Sequence, residues 1–441
     1  MPQQHQPLQS TYTQVCAGWV LICMLLLAIT SALTQLIPGY IAGIPVWAAV
    51  ALMLNKQKRN QLIQSAVLFC IGSYGLGYGV WQGVDHSYLL KALEANQLLV
   101  AMIVSVSFLR IVATQNIHCD EQLPSGRKAM ISTLFGTHLV GSVINMSAVM
   151  IMGDRLSSKK PLTPLQGLTL LRAFSIAAIW SPFFAAMGVI LISAPGAQLS
   201  TLVLFGLPTA LIALLISAWQ IHKHPKVEHT QGYPMHFKAL WMPSLLALLV
   251  MVAHWIWPGL SVVTLVTVIS ILFVLLYVPF KFGKQGRRIF HHHIHDGLPK
   301  LSSEITLFLA AAVMAAGVAS LLDALQIRIA PEQFTALEAN FTLVTLVALA
   351  MIGMHPVTSA ILAGSLLMPS VSDPNLLGIT LLLSWMIGVG TSPFSGVQLS
   401  LQSRYGIPAL ELLKLNRLYI PKMLLVGFAV QWIYSGLAGL S

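Results

Sequence analysis

The sequence is short of charge, and shortest of acid. Only 8% of its 441 residues are charged, and 13 carboxylates stand against 24 lysines and arginines. A soluble chain carries roughly a quarter charged residues, so a water-exposed domain of useful size is excluded. Alternating ten-residue strand patterns are missing too, which argues against a β-barrel. Cysteine is scarce: Cys16, Cys23, Cys70 and Cys119 show no metal or redox spacing, and no disulfide framework is indicated. The polar stretch Met1 to Gln14 has no basic region, so the first apolar run reads as a retained helix, not a cleaved signal. A nucleotide-binding loop, a zinc-protease helix and a nucleophile elbow are all absent. GSVIN and GVGTS are only short glycine and serine clusters inside apolar runs.

What is present is apolar sequence. It makes up 56% of the chain, the mean hydropathy is +0.79, and runs of about 20 residues, each long enough to span a bilayer, recur from end to end. The chain therefore reads as an all-α polytopic membrane protein. The net charge of +11 sits in short loops, which speaks for membrane orientation and anionic lipid and against nucleic acid. Basic loops at Lys56–Arg59, Asp154–Lys160, His222–Lys238 and Lys281–Lys300 are expected in the cytoplasm, together with the N-terminus, in a bacterial inner membrane. The loop carrying Asp373 has no Lys or Arg and is expected outside.

Spans are expected at about 17–36, 38–55, 62–84, 130–152, 165–192, 201–221, 239–257, 259–280, 340–370, 376–401 and 416–438. The apolar piece 97–113 is followed by a polar stretch from Gln115 to Lys128. It is read as a re-entrant hairpin (~94–115), because a crossing there would force the Asp154–Lys160 loop outside. The piece 304–327 is read the same way. That gives eleven transmembrane helices and two hairpins. Cysteine accessibility at Gln122 and Lys159, expected on opposite sides, tests the first hairpin.

The chain also repeats itself. Trp180-Ser181-Pro182-Phe183-Phe184 recurs 211 residues later as Thr391-Ser392-Pro393-Phe394-Ser395, and at the same offset Ile144–Ala148 meets His355–Ser359 and Gly153 meets Gly364. Residues 1–221 form a first repeat, with a broken helix at ~130–152 and a Ser-Pro-Phe helix at ~165–192. Residues 222–441 form the second, with a broken helix at ~340–370, a Ser-Pro-Phe helix at ~376–401 and a final helix at ~416–438. An odd number of crossings separates them, so they are inverted, the usual architecture of secondary transporters with substrate near the midplane.

The polar breaks carry the candidate chemistry. Asn145 and Ser147, after Gly141 and Ser142, are either ligands or helix–helix glue. Pro356 lacks an N–H and disfavours helical geometry at His355, so the helix breaks there, and Thr358 and Ser359 can cap the second half. Half-helix N-termini suit an anion. His355 can gate a proton, or be a neutral packing histidine. Ser181-Pro182 and Ser392-Pro393 each free a carbonyl, with Thr391, Ser395 and Gln398 making the second copy the more polar; the alternative is a mere kink. Arg172 either offsets substrate charge or, the favoured reading, snorkels to the inner surface. Arg110, Glu304 and Asp323 are read as interfacial. No carboxylate sits in the centre of a span, which counts against a cation carrier built on buried Asp or Glu. The tract His291-His292-His293-Ile294-His295-Asp296 is read as a solvated connector, not a metal site.

At these residues the chain resembles the ion transporter superfamily, which includes divalent-anion/sodium symporters and arsenite pumps. The likeness runs from about 90 to 221 and from 298 to the C-terminus. His355–Ser359 and Ile144–Ala148 stand at the family's Ser-Asn-Thr positions. Thr391–Gly396 and Trp180–Phe184 stand at its Thr-Pro-Pro-Asn positions, and Glu304–Leu309 with Ala315-Ala316-Gly317 at its second hairpin. Neither Ser-Asn-Thr is intact, and Phe183 and Phe394 or Ser395 replace the asparagine of the turn. The resemblance implies a scaffold that often dimerises, here a homodimer, and an elevator-type transport domain.

The function expected is therefore secondary transport of a small organic or inorganic anion coupled to H+ or Na+, with no cofactor and no enzymatic activity. Asn145, Ser147, Ser181, His355, Thr358, Ser359, Thr391, Ser392 and Ser395 would bind substrate or ion, around breaks at Pro182, Pro356 and Pro393. Alternatives are export of arsenite or another toxic anion, Na+/H+ antiport, or a membrane-embedded enzyme or channel.

Overall fold

The computed structural model describes residues 12–57, 59–113, 123–234, 241–327 and 330–440. Cys119 and Gln122 lie outside them. In chain order the helices are α1 (Tyr12–Thr34), α2 (Gly39–Met53), α3 (Arg59–Trp81), α4 (Ser87–Glu94), α5 (Gln97–Ala113), α6 (Arg127–Ile144), α7 (Met146–Leu156), α8 (Pro164–Ala177), α9 (Ala185–Ser193) and α10 (Leu199–His222). They continue with α11 (Trp241–Ile256), α12 (Val262–Phe282), α13 (Gln285–His292), α14 (Ser302–Ala324), α15 (Ala336–Met351), α16 (Pro356–Leu367), α17 (Pro374–Thr391), α18 (Gly396–Tyr405), α19 (Ala409–Asn416) and α20 (Tyr419–Ala438). Among the described residues the only β-pairing is one isolated bridge, Ser125 with Gln231. The chain is an all-helical, polytopic membrane protein.

It divides into two compact units. Unit 1 is Met1–Phe108 with Ser270–Ala324, and unit 2 is Leu109–Ile269 with Leu325–Ser441. Each takes chain from both sequence halves, so the units cut across the repeats 1–221 and 222–441.

In unit 1, α3 lies along α14. A Cβ on Gly72, Gly75 or Gly79 would strike Val313, Gly317 or Ser320 in turn. The contacts climb together in number, so the two helices run parallel, and small residues allow the backbones to touch where lipid offers no hydrophobic drive for association.

In unit 2 the packing is doubled. α6 and α7 pack on α8 as α15 and α16 pack on α17; α7 meets α18 as α16 meets α9; α10 lies on α8 as α20 lies on α17. The aligned glycines carry this pattern. Gly153 of α7 is pressed on Tyr405 of α18, and Gly364 of α16 on the Ser193 backbone of α9. α8 and α17 start alike, with Thr163 or Asp373 capping a helix whose first residue is proline.

Two expectations exchange places. The expected hairpins, ~94–115 and ~304–327, fall on unbroken helices, α5 and α14, within stretches (Ser87–Val112, Gln285–Ala324) long and apolar enough to cross a membrane. The likeness of Glu304–Gly317 to a hairpin is corrected with them. The chain reverses instead at the polar breaks of ~130–152 and ~340–370, which are not broken spans. A Cβ on Gly141 would sit 3.6 Å from that of Ala148, although seven residues of straight helix rise about 10 Å. α15 and α16 line one cavity of about 660 Å3, from Leu337 and Leu367 at their far ends to Met354 and Ser359 at the turn; in a straight rod those ends would be about 45 Å apart. Positive φ at Asn145 (52°) and Gly353 (119°) makes the reversals. The Ser-Pro-Phe helices, by contrast, are interrupted without folding back, since neither α8 and α9 nor α17 and α18 pack side by side.

Among the described residues, eight stretches are long and apolar enough to cross by themselves. The expected spans 38–55 and 239–257 are helices of 15 and 16 residues. Those at 165–192, 130–152 and 340–370 are split, while the two supposed hairpins add to the count.

Cysteines replacing Lys300 and Asp323, at the two ends of α14, are expected to label from opposite sides of sealed vesicles. A pair at Ser125 and Ser158, flanking the first reversal, is expected to label from one side. Same-side labelling at Lys300 and Asp323 would restore the hairpin reading of this segment.

Candidate functional site

The four breaks are built from matching local turns. In each Ser-Pro-Phe the serine oxygen accepts the N–H of the phenylalanine two residues on, at 3.2 Å in both copies (Ser181 from Phe183, Ser392 from Phe394). Proline cannot donate, so this bond takes up an N–H that the interrupted helix leaves over. Each turn lies against its own hairpin tip. Asn145 donates to the Phe183 carbonyl at 3.1 Å, and the Ser181 hydroxyl donates to the Ser142 carbonyl. In the second copy a Cβ on Gly353 would stand 3.3 Å from the Phe394 ring.

The tip of the second hairpin is capped by His355 itself, correcting the expectation that Thr358 and Ser359 do this. Nδ1 of His355 accepts the N–H of Val357 at 3.2 Å, and the Ser359 hydroxyl turns back to the Pro356 carbonyl at 3.2 Å. An Nδ1 that accepts this bond carries a lone pair, so a proton added there would break the cap.

The two copies differ in exposure. Pro182, Phe183 and Phe184 are buried, whereas Phe394 is 53% exposed and Pro393 and Gly396 are half-buried. Thr358, Ser359, Thr391, Ser392 and Ser395 are buried; Asn145, Ser147 and His355 are half-buried. Several polar atoms here have no partner: Asn145 Oδ1, Thr358 Oγ1, Ser395 Oγ and Gln398 Oε1. A buried hydroxyl or amide without a hydrogen bond costs about 1–3 kcal/mol, and such groups mark places where a partner is missing.

Arg172 does not snorkel. It is 1% exposed, the largest fully buried side chain, and the only buried Lys or Arg among the described residues; no Asp or Glu is buried. Its Nε donates to Asn416 Oδ1 at 2.9 Å, its Cζ lies 4.3 Å from the centre of the Tyr419 ring, and Nη1 has no partner. Asn416 passes the contact on, donating to the Gly390 carbonyl at 2.7 Å, which also receives Gln398 Nε2 at 3.2 Å. This is a carbonyl that a continuous helix would have bonded to Phe394. Arg172 thus holds the second Ser-Pro-Phe turn through Asn416.

A second lock works at the first copy. Trp180 Nε1 donates to His138 Nε2 at 3.1 Å, and His138 Nδ1 faces the Ala173 carbonyl at 3.1 Å. Sequence reasoning missed His138, Asn416 and the depth of Arg172. Polar residues at the ends of apolar runs were the available signal, but their partners are distant in sequence. Among the described residues no group of three His, Cys, Asp or Glu is arranged to hold a metal, and Cys16, Cys23 and Cys70 are free.

No protein-family model matches the chain, and no curated protein matches it either. Among solved structures it is similar to the YdaH transporter of Alcanivorax borkumensis, whose topology is described as unusual. The identity is 12% over 97% of this chain and 98% of that one, at a TM-score of 0.44.

Replacing Asn416 with leucine strands the Arg172 guanidinium and half-frees the Gly390 carbonyl. It is expected to lower stability in detergent by about 1–3 kcal/mol, the range for leaving a buried polar group without its partner, read as a fall in the unfolding midpoint. An unchanged midpoint would show that the network holds nothing.

Proposed function

We propose that the chain is a secondary active transporter of a small anion, an organic carboxylate or an oxyanion, carried by unit 2. The observation behind this is the doubled set of hairpin tips and interrupted helices, each leaving a half-helix N-terminus (α7, α9, α16, α18) inside the apolar unit. Helix N-termini present N–H groups and the positive end of the dipole. The interior holds one buried cation and no buried carboxylate among the described residues, so its field favours an anion. Asn145, Ser147, Ser181, His355, Thr358, Ser359, Thr391, Ser392 and Ser395 would line the path, with Pro182, Pro356 and Pro393 making the breaks.

Thr358, Ser395 and Gln398 each carry an uncommitted oxygen, and oxygen donors suit a hard cation such as Na+. Protonating His355 at Nδ1 would instead cost its cap. Na+ is therefore the favoured coupling ion, and H+ the second.

With α14 crossing and the reversals at 145 and 353–355 re-entrant, the chain still makes eleven crossings and two hairpins. All basic loops stay on the cytoplasmic side, and the two repeats are inverted. Unit 1 would be the scaffold, in a homodimer of a bacterial inner membrane, and unit 2 would move as an elevator. The same geometry serves export, including of a toxic oxyanion. Antiport of Na+ and H+ is the less favoured reading, since no Asp or Glu is buried by solvent exposure among the described residues; a membrane-embedded enzyme or a channel is the remaining alternative.

Thr358→Val and Ser395→Ala test the site. Removing an unpartnered buried hydroxyl should leave ligand-free stability unchanged or raised. The thermal stabilisation by a panel of acetate, succinate, citrate, phosphate and sulfate, with Na+ present, should fall at least about tenfold in apparent affinity. Full stabilisation of both variants by an anion that stabilises the parent protein would remove these residues from the site.

A further inference from the structure

The histidine tract lies on helical turns, with His291 and His292 exposed. His291 and His292 close α13, and residues His293–Gly297 form a π-helical turn seated on α1, where a Cβ on Gly18 would strike the Ile294 carbonyl. His293 is spent on packing: its Nε2 lies 3.0 Å from Ser107 Oγ and its ring 4.4 Å from that of Phe108. The other side chains face an open cavity of about 510 Å3 lined by Lys284, Arg287, Arg288, His291, His292, His295 and Asp296.

The charges in this cavity are not balanced. Asp296 is engaged by His292, at 2.8 Å from Nδ1 to Oδ2. Lys284, Arg287 and Arg288 have no ion-pair partner among the described residues. Three permanent cations on one short helix and the residue before it therefore face a hollow with one carboxylate, already committed. Trp19, an exposed aromatic on α1, packs against two of the lining histidines. Its ring stands edge-on to His291 and His295, and its Nε1 donates to His295 Nε2 at 3.2 Å. Just before Lys284, α12 shows Leu276 and Phe280 at 73% and 91% exposure. Exposed apolar side chains, a tryptophan and unpaired arginines are the residue types of a membrane interface, and arginine forks match phosphate oxygens.

We infer that this cavity binds the phosphate of an anionic phospholipid headgroup, with Lys284, Arg287 and Arg288 as its ligands and the acyl chains lying along Leu276 and Phe280. A soluble phosphate shares the headgroup chemistry but gains nothing from the apolar flank, and this difference separates the two sources.

The test uses the full-length protein in neutral detergent, with bound lipid counted by native mass spectrometry. Phosphatidylglycerol is expected to bind, and phosphatidylcholine to bind at least about tenfold more weakly. The variant Lys284→Gln/Arg287→Gln/Arg288→Gln is expected to lose about a hundredfold of the phosphatidylglycerol affinity, at about fivefold per charge. It should keep its lipid-free melting midpoint, because the three side chains are exposed. Arg287→Lys/Arg288→Lys, which keeps the charge, should lose far less. Undiminished phosphatidylglycerol binding by the triple glutamine variant would overturn the assignment. So would inorganic phosphate at millimolar concentration displacing the lipid completely, since the cavity would then serve a soluble phosphate.

Discussion

Inside a bilayer no water completes a broken helix, so every carbonyl and N–H that a break releases must find a partner in the protein or its cargo. Unit 2 is organised by that demand. It contains four breaks, and the side chains around them are mostly occupied in repairing the backbone. Ser181 and Ser392 take the N–H groups of Phe183 and Phe394, His355 takes that of Val357, Asn145 supplies the Phe183 carbonyl, and Asn416 with Gln398 supplies that of Gly390. What remains after this repair is the candidate site: a few buried oxygens with nothing to bond, beside helix ends that carry positive potential.

The same demand explains how Arg172 is held. A guanidinium without a carboxylate partner is costly in an apolar interior. Here the amide of Asn416 and the face of Tyr419 hold it, and through Asn416 it steadies a turn on another helix. Beside the first copy, the long-range polar contact joins uncharged side chains, Trp180 and His138. The doubled architecture thus carries unequal chemistry. The first turn is sealed, and the second shows Phe394 to its surroundings.

Much of this was legible in the sequence. The apolar runs, the all-helical class, the 211-residue offset and the positions of all four breaks follow from residue type and spacing. The pairing of Gly153 with Gly364, seen first as an alignment, returns as two equivalent helix contacts. What spacing could not give was the angle at each break. A proline or an asparagine in an apolar run marks where a helix stops, but whether the chain turns back depends on the backbone at Asn145 and Gly353 and on what the arms pack against. Loop charge was blind to the difference, because exchanging a hairpin with a neighbouring span leaves every basic loop on the same side. Long-range polar partners were hidden for a simpler reason. Arg172 and Asn416 are 244 residues apart, and an arginine near the end of an apolar run looks the same whether it reaches for the surface or for a buried amide.

The central claim is that the breaks of unit 2 form an anion carrier. The most direct measurement is solid-supported-membrane electrophysiology on proteoliposomes of the full chain, stepping the concentrations of succinate, citrate, phosphate and sulfate with and without a Na+ gradient. The account predicts a transient current that saturates with one of these anions, grows with inward Na+ and disappears when Thr358 and Ser395 are both replaced by apolar or smaller residues. Silence with every anion, together with a current on steps of Na+ or Li+ alone, would contradict it and make the protein a cation exchanger.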